Sequence, residues 1–158
     1  MIERTTRISL VAGFLFGAIA LAADTSAAQS GRMELEAQLI LVTDRPQSSH
    51  PRYKAVEPAI AARLRHMPFR WKHFYEVNRV VFTVSLTEPK MIQLSRPYRL
   101  AVKGLGPSGI EVSLFGQTKL VNTTKQPLSS GELLIMGADD KGTNTWLVVV
   151  RAASRELR

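Results

Sequence analysis

The sequence predicts a mainly β protein, on the border of α+β: an antiparallel meander, a sandwich or a partly closed barrel of about eight strands, with one helix packed on it. Three observations carry this expectation. Short segments of alternating apolar and polar residues fill the chain from residue 79 onward. Turn residues separate them at spacings too short for parallel crossovers. One stretch alone, near 56–66, switches to helical spacing.

The chain has 158 residues, which suits one domain preceded by an export signal. Met1–Arg7 carries Arg4 and Arg7, Ile8–Ala23 is almost wholly apolar, and Thr25-Ser26-Ala27-Ala28 supplies small residues for cleavage after Ala28. Residues 1–28 therefore read as a signal peptide, removed to leave no membrane-spanning segment, and 29–32 as a flexible start. The expected location is the periplasm or the exterior of a bacterium. There is no cysteine, which excludes a disulfide framework, a thiolate metal site and lipoprotein attachment. The net charge is +8, and residues 1–28 contribute nothing to it, because Glu3 and Asp24 cancel the two arginines. The remaining surplus favours an acidic protein or another anionic envelope component as partner.

The single domain is expected over 33–152. Met33, Leu35, Ala37, Leu39 and Leu41 alternate with Glu34, Glu36 and Gln38, which reads as a strand with one buried face. Thr43–Pro51 is a loop. Val56, Ile60, Leu64 and Met67 then form one helical stripe. Pro58 belongs in the first turn, Glu57 at the electropositive end, Arg63 and Arg65 at the other, and Pro68 stops the helix. The aromatic residues Phe69, Trp71, Phe74 and Tyr75 form a joint that pins this helix to the sheet. Further strands are expected near 79–86, 92–94, 98–103, 110–115, 118–122, 132–136 and 145–152, with a polar loop at 123–131 and a tail at 153–158.

The chemistry expected from these residues is recognition, not catalysis. Arg63, Arg65, Arg70, Lys72 and Arg79 crowd the helix end and the joint, and form the candidate partner-binding surface. Interleaved aromatics and cations also suit single-stranded nucleic acid, but export makes that partner unlikely to be met. His50, His66 and His73 lack the spacing of a metal site, and Asp139-Asp140 sits in a Gly-bearing hairpin turn without the spacing of a calcium loop, so no metal or cofactor is expected. No nucleophile elbow, phosphate loop or carboxylate pair is present, so no catalytic residue is assigned. The helix, the Pro-aromatic joint, Gly131–Gly137 and Thr143–Arg151 together resemble small exported bacterial β-rich proteins of unassigned function. That resemblance implies no catalytic residues. The expectation is a non-enzymatic envelope binding module. The alternatives are an envelope-directed hydrolase with a site in the loops, and a small β-barrel that carries an apolar ligand.

Overall fold

The computed structural model describes residues 31–46, 51–68, 70–138 and 144–153. Among these described residues nine strands and one helix follow one another: β1 (Arg32–Thr43), β2 (Lys54–Ala55), α1 (Pro58–Arg65), β3 (His73–Ser85), β4 (Lys90–Gln93), β5 (Tyr98–Gly104), β6 (Gly109–Gly116), β7 (Lys119–Pro127), β8 (Leu134–Ala138) and β9 (Asn144–Ala152). They make two antiparallel sheets, ordered β2-β3-β1-β9-β8 and β4-β5-β6-β7, with no closed barrel. Of the two closures the sequence allows, the chain adopts the open sandwich. The expected signal peptide, Phe69, His50, the Asp139-Asp140 turn and all but the first residue of the tail lie outside the described residues.

The core lies between the sheets. Leu35, Ala37 and Leu39 of β1, with Val148 and Val150 of β9, meet Leu100, Val102, Ile110, Val112 and Leu114 of the second sheet. Period-two alternation puts every one of these on the inner face. Side chains of both sheets therefore occupy the space an apolar ligand would need in the barrel reading. Gly104 closes one corner. An added Cβ there would come within 3.1 Å of the Ser85 carbonyl oxygen and 2.9 Å of Leu86, so glycine lets β5 end beneath the exit of β3.

A second, smaller core lies on the other face of the five-stranded sheet. Here α1 covers Ile40, Val42, Leu147 and Val149 with Val56, Ile60, Ala61 and Leu64. Pro58 occupies the first turn, as its missing N–H allows, and Arg63 and Arg65 fall in the last turn, where cations suit the dipole. Eight residues do not hold a helix in water by themselves, so this apolar contact stabilises α1.

Two departures from the sequence reading shape the candidate site. β1 is central and covered on both faces, so Glu36 and Gln38 are buried. They lie beside the helix on the face expected to be solvated. β3 also begins earlier than expected, at His73, and contains a bulge. Ile40 opposes Glu76 and Leu39 opposes Asn78, which leaves Val77 as the extra residue. The bulge reverses the facing of every later side chain in β3. Without it Glu76 and Arg79 would point to opposite faces; with it they share one. At the other end of the chain, β7 continues through the expected loop to Pro127.

Candidate functional site

The end of α1 and the start of β3 enclose a groove of about 360 Å³, lined by Leu64, Arg65, Arg70, Trp71, Lys72 and Phe74. Local sequence explains the arrangement. The helix stops at Arg65, Met67 N–H donates back to the Leu64 carbonyl at 3.2 Å, and Pro68 sends the chain away. The chain then returns as β3, with Phe74 on the helix side, opposite Val42, and Tyr75 on the other face, opposite Leu41. Trp71 and Phe74 are half-buried against the helix cluster and form the floor, while Arg65, Arg70 and Lys72 are exposed at the rim. The Arg70 guanidinium lies 5.4 Å from the centre of the Trp71 ring, a cation–π contact. Among the described residues no acid lines the groove, and none of these three cations makes an ion pair.

The five cations predicted from the sequence thus divide three ways. Arg65, Arg70 and Lys72 come together. Arg63 points to the opposite side of the helix, where its guanidinium donates to the Gly131 carbonyl at 3.4 Å and lines a separate groove with Gln126, Pro127, Glu132 and Leu133. Gly131 makes that turn with a φ of +83°, a backbone conformation that suits glycine. Arg79 belongs to neither group. The β3 bulge turns it over the five-stranded sheet, where carboxylates already occupy it.

That second cluster escaped the sequence reading. Arg79 pairs with Glu76 at 2.6 Å, with Glu36 at 3.3 Å and with Glu57 at 3.8 Å. Arg151, the cross-strand neighbour of Glu36, pairs with Glu57 at 2.7 Å and with Glu36 at 2.9 Å. Gln38 Nε2 donates to Glu36 at 2.6 Å and so orients its carboxylate. The hydrogen bond from Arg151 holds the Glu57 carboxyl below its ordinary range. Glu76 raises the Arg79 guanidinium by its hydrogen bond. Burial works against charge on Arg151, yet Glu57 and Glu36 outweigh it. The network joins the residue before α1 to β1, β3 and β9, so it clamps the helix start to three strands. A general acid needs a pKa near the working pH, and Arg151 moves Glu57 away from it. The one legible signal was the row Glu34, Glu36, Gln38 on β1; its arginine partner on β9 is remote in sequence.

The remaining aromatic and histidine positions are structural in setting. Tyr75 stacks on His73, with ring centres 6.4 Å apart, and meets Tyr53 at 6.1 Å. His66 follows the last turn of α1. Among the described residues no three His, Asp or Glu side chains form a metal-sized cluster, and no helix is long and apolar enough to cross a membrane. Comparison with protein-family models, with curated proteins and with solved structures finds no match.

Proposed function

We propose that this chain is an exported, non-enzymatic binding module of the bacterial envelope, and that it holds an anionic partner in the groove between α1 and β3. One observation carries the reading: Arg65, Arg70 and Lys72 stand exposed, without carboxylate partners among the described residues, around a half-buried floor of Trp71 and Phe74. Uncompensated like charge repels itself, and an anionic partner relieves that repulsion. The aromatic floor adds apolar contact, which fits acidic protein side chains lying along it better than a bare anion. The overall charge of +8 steers such a partner toward the surface. Export rests on the Arg4/Arg7 start, the apolar run and the small residues before Gln29. Protein recovered from the periplasm or the medium should have the intact mass of the chain lacking residues 1–28; full-length chain held in membranes would instead indicate an anchor.

The groove is tested by changing Arg65, Arg70 and Lys72 together to Gln. Each is exposed, so each substitution should alter stability by no more than about 0.5 kcal/mol. Retention on a carboxylate resin and on acidic proteins of an envelope extract should fall, most at low ionic strength. Equal retention of parent and variant across a salt series would remove the groove as the binding surface.

A further inference from the structure

We propose that the free edge of β3 is a self-association edge: a second copy of this chain adds its own β3 antiparallel there, joining the two five-stranded sheets into one. β2 covers only Tyr75 and Glu76 of β3. Among the described residues no strand pairs with Asn78–Ser85 on that side.

The other edges carry features that discourage pairing. β2 has two residues, one of them Lys54. β4 has four and begins with Lys90. β7 carries Lys119, Lys125 and Pro127. β8 has five residues. Val80–Ser85, by contrast, reads Val-Val-Phe-Thr-Val-Ser, with high strand preference and no charge, Pro or Gly.

The register is self-complementary. The Arg79 N–H donates to its neighbour Asn78 Oδ1 at 2.9 Å, so it points away from β1. Alternation puts the N–H and C=O of Val81 and Thr83 on the same free side. A two-fold axis through Phe82 opposes Val81 of one copy to Thr83 of the other, and the reverse. Both members of each pair then point at the new ladder.

The surroundings fit the same occupant. Val81 is 53% exposed and Leu86 40%, although both are apolar, and both belong to the free edge: Val81 points outward from the five-stranded sheet and Leu86 follows the last residue of β3. The same register carries the Leu86–Glu88 turn of the second copy toward Asn78. A cleft of about 500 Å³ opens there, with Arg52, Lys54, Ala55 and Val77 among its lining residues. Glu57 and Glu76 also line it, but Arg79 and Arg151 hold their carboxylates. Glu88 is exposed and makes no ion pair among the described residues, so it arrives beside Arg52 and Lys54 with charge to offer.

Sedimentation velocity on the purified chain, over a range of concentration and salt, tests this. The parent should dimerise, and more strongly as salt rises, because salt screens the repulsion between two copies of charge +8. Anion retention by the groove has the opposite salt dependence, so the two proposals fail separately. Val81→Lys puts a charge on an exposed edge position and should shift the species to monomer, with the melting temperature of the parent at concentrations too low for the parent to dimerise. Glu88→Lys should weaken the dimer, most at low salt. Hydrogen exchange at the Val81 and Thr83 amides of the parent should slow with concentration, a readout independent of any variant. A parent that stays monomeric, a Val81→Lys variant that dimerises like the parent, or exchange indifferent to concentration would each overturn the proposal. So would a monomer that takes up an extended peptide of another protein along β3.

Discussion

Glu36→Ala should lower the unfolding free energy by about 3 kcal/mol, measured as a shift of the denaturant midpoint. Glu36 is 7% exposed and accepts from Arg79, Arg151 and Gln38. Removing one member of a buried ionic cluster leaves charge without its counterpart, which costs about 3–5 kcal/mol. The lower end applies because Arg151 keeps Glu57 and Arg79 keeps Glu76. Glu36→Gln preserves the shape and one acceptor, so it should cost less than Glu36→Ala. The cluster also makes stability acid-sensitive. Glu57 has its folded pKa lowered from the ordinary value of 4.5. A lowered carboxylate contributes stability above the unfolded pKa and loses it as pH falls through the folded one. The parent should therefore hold its melting temperature at neutral pH and lose it below about pH 4.5. Arg151→Met removes the hydrogen bond that lowers Glu57, so its melting temperature should fall less steeply with acid. Parallel acid profiles for parent and Arg151→Met would show that the cluster does not link folding to protonation.

Leu64→Ala should cost about 2–5 kcal/mol and lower anion retention together. Leu64 is fully buried, packs within the cluster under α1 and lines the basic groove. The deletion opens a cavity beneath a helix of only eight residues, which has no stability of its own to draw on. Arg65 follows directly, and the chain from Met67 to Lys72 takes its path from the helix end, so the groove loses its wall with the contact. Ala62→Ser, on the exposed face of the same helix, should change stability by less than about 0.5 kcal/mol and leave retention intact. If Leu64→Ala loses the expected stability but still binds anions as the parent does, the groove forms without the helix and the wall argument is wrong.

Much of the fold was legible in local periodicity. Leu35, Ala37 and Leu39 enter the core as their alternation requires, and Val56, Ile60, Leu64 and Met67 form the stripe that holds α1 down. Pro58 and Pro68 bracket the helix because both act on their own backbone. The expected nearness of Arg65, Arg70, Trp71, Lys72 and Phe74 also holds, since a few residues of chain connect them. Arg63, a few residues before, points elsewhere because a helix separates neighbouring residues around its axis.

Tertiary structure decided what depends on pairing across distance. The expected solvated face of β1 is buried because β3, β9 and α1 all converge on it, and Glu36 meets Arg151 across 115 positions of sequence. Arg79 looked like part of the basic surface by sequence neighbourhood, but one extra residue in β3, Val77, turns it onto three carboxylates. Alternation specifies which residues share a face only while the ladder is regular. A bulge is set by the partner strand, so its effect on every later side chain is invisible until the strands are paired. Sandwich against barrel was undecided for the same reason: the strands carry the same alternation in both, and closure depends on which strand lies beside which.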